Sequence, residues 1–145
     1  MPASPTSTSP VSDSSAIQQV DVLVIGAGVS GIGVAHQLVT TLPDADFVIL
    51  EARERSGGTW DLFRYPGIRS DSDLFTFGFG FKPWKDKQSI ADAPRILDYL
   101  EEAIADDDLD RRIRYHHKVI AASWSSEEAR WTVDVERTDT GERLQ

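Results

Sequence analysis

Apolar and polar positions change period several times along this chain, and each change predicts an element. Residues 20–25 (Val20, Val22, Leu23, Val24, Ile25) are apolar with no alternation, which predicts a central parallel strand covered on both faces. Ile32, Ala35, Leu38, Val39 and Leu42 then recur at helical spacing, predicting a helix to about Leu42 that stops at Pro43. Asp46–Leu50 is apolar again and reads as a second strand. In Leu74–Trp84, Phe75, Phe77, Phe79 and Phe81 alternate, predicting an extended segment with one aromatic face. That face either walls a ligand cavity or lies in the core beneath a long loop. A second helix is expected over Ala93–Ala105, with Pro94 in its first turn, Ile96, Leu97, Leu100 and Ile104 on one face, and Asp106–Asp108 as its solvated end. Ile113–Val119 reads as a third parallel strand, reached by a right-handed crossover. Ile120–Ser125 and Arg130–Arg137 read as an antiparallel pair, with a turn at Thr138–Gly141 into a further strand.

Chemistry enters between the first strand and the first helix. Gly26-x-Gly28-x-x-Gly31 occupies that junction, and Glu51 ends the second strand 20 positions after Gly31. This is the arrangement of a dinucleotide-binding βαβ unit. One glycine turns tightly, one lets backbone N–H groups approach a pyrophosphate, and one lets the helix pack close to the sheet. The helix N-terminus then offers free N–H groups and partial positive charge to phosphates. Ser30 is expected either to cap the helix or to reach a phosphate. A carboxylate at Glu51 accepts ribose hydroxyls, each charge-assisted bond being worth about 1.5–3 kcal/mol. It would repel a 2′-phosphate by roughly 1–4 kcal/mol per charge at about 4 Å. The expected ligand is therefore FAD or NAD, not NADP. Arg53 reads as a loop arginine near acids such as Glu54. Gly57-Gly58, six residues after Glu51, lets the loop backbone approach a ligand that extends beyond the adenosine half, which favours FAD.

Composition narrows the setting. Residues 1–19 are rich in Ser, Pro and Thr and read as a disordered leader, leaving 20–145 for the fold; the leader lacks the pattern of a signal peptide. No apolar run approaches the roughly 18 residues of a membrane span. With no cysteine and a net charge of −9, a thiolate site and nonspecific nucleic-acid binding are both excluded, and a cytoplasmic setting is expected. His36 reads as surface or packing. His116 and His117 would point to opposite faces of a strand, so no metal site is expected. Asp71 and Asp73 have no second motif to make them a hydrolytic carboxylate pair.

Gly26-x-Gly28-x-x-Gly31, Glu51, Gly57-Gly58-Thr59-Trp60 and Arg64-Tyr65-Pro66-Gly67-Ile68-Arg69-Ser70-Asp71, in that order, resemble the N-terminus of class B flavoprotein monooxygenases. These are the Baeyer–Villiger and related N- or S-oxidising enzymes. Asp61-Leu62-Phe63, Ser70-Asp71-Ser72-Asp73, Lys82-Pro83-Trp84, Ser89-Ile90-Ala91-Asp92, His116-His117-Lys118-Val119 and Trp131-Thr132-Val133 resemble the ethionamide-activating subgroup, and the likeness covers about residues 20–137. It implies an α/β fold: a Rossmann-like FAD-binding domain of the two-dinucleotide-binding flavoprotein type, with an incomplete parallel sheet and an antiparallel β-meander. It further implies that Gly26, Gly28, Ser30 and Gly31 cradle the FAD pyrophosphate and that Glu51 holds the ribose. Gly58, Thr59, Trp60, Asp61 and Leu62 would line the path toward the isoalloxazine ring. Arg69, Ser70 and Asp71 would lie where the flavin faces NADPH, with Asp71 as the acidic catalytic position, helping to place an arginine from elsewhere. Val119 would present its backbone to the adenine edge.

The family's reaction is reduction of FAD by NADPH and transfer of one oxygen atom from O2 to a small-molecule ketone, sulfide or amine. Up to Gln145 there is no second GxGxxG for NADPH, no F-x-G-x-x-x-H core and no return strand to close the FAD domain. The expectation is an N-terminal FAD-binding portion without turnover of its own, its meander edge open. Such a portion is either completed by a C-terminal half or a non-catalytic remnant. An FAD-linked reductase or oxidase is a third reading, against which the Asp61–Asp71 stretch counts.

Overall fold

In the computed structural model, which describes residues 17–145, the apolar runs flanking the glycine-rich turn pair as parallel strands. β1 (Val22–Ile25) and β2 (Phe47–Leu50) align Val22 with Phe47 through Ile25 with Leu50, and α1 (Val29–Thr41) crosses between them. The expected leader falls, up to residue 16, outside the described residues. At its end, Gln18 donates its backbone N–H to the Gln145 carbonyl at 3.1 Å, and its side chain accepts from Arg114.

β2 pairs on its other side with β3 (Ile113–Arg114), giving the order β1-β2-β3. β1 is therefore an edge strand among the described residues rather than the central one expected, and Ile25 at its end is 62% exposed. β2 takes the middle position, and all four of its residues are buried. The reason lies in what covers each face. Phe47 and Ile49, with Val24 and Ile113, face the helices. Val48 and Leu50, with Leu23, face an antiparallel sheet through Val119, Val133, Val135 and Leu144. A strand sandwiched in this way has no polar face to show, hence the unbroken apolar run.

The helical layer joins α1 to α4 (Ala93–Asp106), with the short α2 (Thr59–Leu62) packed on α4. α1 buries Gly31, Ile32, Ala35 and Leu38 and ends just before Pro43, as the spacing predicted. α4 buries Ala93, Ile96, Tyr99, Leu100, Ala103 and Ile104. Ile32, Ile49, Ile96 and Leu100 are among the fully buried side chains, each worth about 1.5–3 kcal/mol of apolar transfer. Asp92 caps α4, its carboxylate accepting the Arg95 N–H at 3.3 Å. Asp92→Ala is expected to lower unfolding free energy by about 1 kcal/mol, read as a shift of the urea midpoint at unchanged slope.

The aromatic stretch departs from expectation. It opens as a one-turn helix, α3 (Leu74–Phe77), capped by Asp73 through the Thr76 N–H at 2.9 Å. The cap overrides the alternation, and Gly78 ends the turn, a Cβ there lying only 2.8 Å from the Leu74 carbonyl. Phe79, Phe81 and Tyr99 then stack over the helices, which matches the core reading of that stretch. The Tyr99 hydroxyl donates to the Lys82 carbonyl at 2.6 Å and accepts the Phe79 N–H at 2.7 Å. His36 packs on Phe81 and pairs with Asp107 at 2.7 Å, a packing role.

The third strand is also shorter than expected. After Arg114 the chain turns at Tyr115–His116, His116 taking a left-handed φ of 60°. β4 (His117–Ser125) belongs to the second sheet, antiparallel to β5 (Arg130–Arg137), which pairs in turn with β6 (Arg143–Leu144). Val119 thus stands opposite Val135 in the meander and not in the parallel sheet. The meander itself follows the predicted hairpin, with Gly141 supplying a φ of 75° at the second turn.

Candidate dinucleotide-binding site

The glycine-rich turn leaves the carboxyl end of β1, where open α/β sheets bind ligands. Gly26 turns the chain at φ 94° while its N–H donates to the Leu50 carbonyl at 2.8 Å. Ala27 follows, fully buried, and both of its backbone groups are taken. Its N–H donates to Glu51 Oε2 at 2.9 Å, and its carbonyl accepts the Gly57 N–H at 2.9 Å. Gly28 occupies the N-cap of α1, and no side chain caps the first N–H groups of the helix among the described residues. Ser30 is the second helical residue and exposed, which removes the plain N-cap option and leaves its hydroxyl directed at solvent or ligand. Gly31 lies against the turn so closely that a Cβ would stand 1.9 Å from the Gly26 carbonyl oxygen.

Glu51 is 6% exposed, a depth at which a carboxylate needs hydrogen bonds. Its two oxygens take the Ala27 N–H and, at 3.0 Å, the Arg53 N–H. A carboxylate has about four acceptor positions, so two remain for further donors. The loop after it returns to the turn: Gly57 and Gly58 adopt φ of 111° and 54°, and a Cβ on Gly58 would lie 3.1 Å from Gly28 Cα. The Gly58 side of that approach, tight and at positive φ, requires glycine. Gly26, Gly28, Gly31, Glu51 and Gly58 thus converge on one crevice.

Asp61, expected to line the path toward the flavin ring, borders the loop with its carboxylate buried. Its side chain is 7% exposed and is surrounded by arginines, Arg53 on Oδ2, with Arg64 at 2.7 Å and Arg55 at 3.3 Å on Oδ1. The Arg53 guanidinium also donates to the Gly58 carbonyl at 3.0 Å. Arg53 is therefore partnered by Asp61, not by Glu54, because the helix α2 carries Asp61 back over the loop. Arg53, Asp61, Leu62, His116 and Thr138 border an open depression of about 420 Å³. Thr59 and Leu62 are exposed, while Trp60 is half-buried and packs edge-on against Phe77. Burial raises the Tyr115 hydroxyl pKa above the ordinary tyrosine value. It stays a neutral hydroxyl beside the Glu51 charge.

Arg69, Ser70 and Asp71 form a strap tied to the entry of α4. Ser70 is buried, its N–H donating to the Ala91 carbonyl at 2.8 Å and its Oγ accepting the Ala91 N–H at 3.2 Å. Arg69 is bridged to Asp92 and exposed; Asp71 is exposed and in no salt bridge among the described residues. Val119 lies in β4, packed with Leu50 beside Glu51, and the strand begins with the His117 N–H on the Glu51 carbonyl. The sequence did not single out Ala27, which acts through its backbone across a long separation, or Arg53 in its clasping role, which acts through its side chain within the loop. Among the described residues no group of three or more His, Cys, Asp or Glu could hold a metal ion, and no helix is long and apolar enough to cross a membrane.

Residues 24–101 match the family model described as NAD(P)-binding Rossmann-like domain. The FAD-containing monooxygenase EthA of Mycobacterium tuberculosis (strain ATCC 25618 / H37Rv) is 52% identical over 123 residues, 85% of this chain and 25% of that protein. An oxidized steroid monooxygenase bound to NADP superposes with a TM-score of 0.75 at 32% identity, over 86% of this chain and 24% of that one. OTEMO in complex with FAD and NADP gives 0.73 at 32% identity, with the same coverage of 86% and 24%. The chain spans about a quarter of the length of the relatives it matches.

Proposed function

The chain belongs to the NAD(P)-binding Rossmann-like domain family, and on that premise we propose that residues 20–145 are the N-terminal FAD-binding portion of an FAD- and NADPH-dependent monooxygenase of the Baeyer–Villiger type. The observation that carries the reading is the close approach of Gly28 and Gly58 beside buried Glu51, which holds the Ala27 N–H. A dinucleotide fits this donor set: uncapped N–H groups at the start of α1 for a pyrophosphate, and spare acceptor positions on Glu51 for ribose hydroxyls.

In this reading Gly26, Gly28, Ser30 and Gly31 bind the pyrophosphate and Glu51 orients the adenosine ribose. Gly58, Thr59, Trp60, Asp61 and Leu62 border the path of the remaining cofactor, and the Val119 backbone serves the adenine edge. Arg69, Ser70 and Asp71 approach the flavin. Ser70 is held from behind by Ala91, which would fix where Asp71 projects. When bound, FAD supplies the redox and oxygen-transfer chemistry, and the chain's part is to bind and orient it. NADPH and a small-molecule ketone, sulfide or amine would be handled mostly by residues outside this stretch, in a C-terminal half and in a cytoplasmic setting.

The test is a titration of the 145-residue chain with FAD, followed by flavin fluorescence, beside an oxygen electrode with NADPH. Saturable binding that ADP competes away, with oxygen uptake no faster than that of free FAD, is the expected result. A chain that leaves flavin fluorescence unchanged at millimolar FAD would defeat the binding reading. Substrate-stimulated NADPH oxidation would defeat the division of labour.

A further inference from the structure

We infer that Arg53, anchored by buried Asp61, is a positioning residue that holds the Gly57–Gly58 loop and Glu51 in their binding geometry before any dinucleotide arrives. The inference rests on the dinucleotide reading of the site and adds a residue that acts through Glu51 and the Gly57–Gly58 loop.

Four bonds close a ring through the glycine-rich turn, the end of β2 and the Gly57–Gly58 loop. Ala27 donates to Glu51, Glu51 accepts from the Arg53 N–H, the Arg53 guanidinium donates to the Gly58 carbonyl, and Gly57 donates back to Ala27. Arg53 is the member that spans two of the three, its backbone on Glu51 and its side chain on the loop. Its second amino group is held by Asp61, whose side chain is 7% exposed and needs a cation there. Arg53 in turn is only 29% exposed, so both ends of the pair are sheltered from solvent and salt.

The planar fork is what permits this. One guanidinium nitrogen bonds the carbonyl while the other bonds the carboxylate, a geometry that a lysine ammonium cannot reproduce. Without the clasp, glycines at positive φ leave the loop a wide range of backbone conformations. Only the fraction of molecules with the loop in place would then be competent, and the apparent affinity falls by that fraction. Arg55 and Arg64 also touch Asp61 but reach neither the loop carbonyls nor Glu51 in the hydrogen-bond pattern, so they add charge without position.

The experiment compares Arg53→Lys, Asp61→Asn and Arg55→Gln in the full chain, by hydrogen exchange of the ligand-free protein and by stopped-flow quenching of FAD. Arg53→Lys keeps the charge and loses the fork. It is expected to speed exchange at the Gly57 amide and weaken FAD binding by about tenfold, the worth of one charge-assisted hydrogen bond. The loss should fall on the association rate, since the bonds to the ligand itself are intact. Asp61→Asn should follow it, and Arg55→Gln should match wild type in both readouts. If Asp61→Asn does not fold, the charge-preserving Arg53→Lys decides. Wild-type exchange at Gly57 in Arg53→Lys overturns the inference, as does an equal loss in Arg55→Gln, which would make charge alone responsible. A wild-type chain that binds no FAD refutes the cofactor reading, and the exchange data then decide the clasp on their own.

Discussion

Gly31→Ala is expected to cost the chain roughly 3 kcal/mol or more of folding free energy, beyond the usual range for overpacking by one methyl. The added Cβ would stand 1.9 Å from the Gly26 carbonyl oxygen and 3.1 Å from its carbon, both backbone atoms with nowhere to move. Gly26 is itself held, because its N–H bonds the Leu50 carbonyl. Relief therefore requires α1 to lift from the turn, which opens the packing of Ile32 and Ala35, both fully buried. Intrinsic helix propensity runs the other way, since alanine is favoured over glycine inside a helix by about 1 kcal/mol. The expected loss of urea midpoint thus reports the close approach and not the secondary structure. Gly80→Ala is the control: nothing lies within 4 Å of its Cβ position, and a neutral or slightly stabilising result is expected there. A Gly31→Ala chain as stable as wild type would mean that the helix does not rest on the turn as described.

The same contrast between local pattern and distant contact separates what was legible in the sequence from what was not. The apolar run Phe47–Leu50 announced a strand, and it is covered by helices on one side and the meander on the other. The Gly26–Gly31 spacing and Glu51 were legible because each acts within one βαβ unit, where spacing fixes geometry. Leu74–Trp84 misled because alternation was taken as strand, while Asp73 and Thr76 had already specified a capped turn. Ile113–Val119 misled because nothing in its apolar content signals the left-handed turn at His116, an uncommon conformation for a side-chain-bearing residue. β1 was placed at the centre because apolar content tells coverage of faces and not pairing of edges. Asp61 was legible as a motif member only; its three arginines approach through side chains that leave no periodic trace.

Glu51→Ala is expected to weaken FAD binding by roughly 10- to 150-fold, the equivalent of about 1.5–3 kcal/mol for charge-assisted bonds to the ribose. It should also destabilise the ligand-free chain, because the Ala27 N–H would be left without a partner in a fully buried position, a loss of about 1–3 kcal/mol. The two effects must be separated before the first can be assigned to the ribose. Glu51→Gln does so, since the amide keeps the side-chain shape and one oxygen acceptor while removing the charge. Its nitrogen then faces one of the two backbone N–H groups that Glu51 now serves, so a partial stability loss is expected. Ligand preference supplies the sharper readout. The Glu51 carboxylate repels a 2′-phosphate by roughly 1–4 kcal/mol at about 4 Å, and its removal should lift that repulsion while lowering affinity for the free ribose. Competition against bound FAD by ADP and by adenosine 2′,5′-bisphosphate measures both. Wild type should prefer ADP strongly, and Glu51→Gln should narrow the preference by weakening ADP and strengthening the bisphosphate. An unchanged ratio, with FAD affinity also unchanged, would place the ribose elsewhere and leave Glu51 as the internal tie between the glycine turn and Arg53.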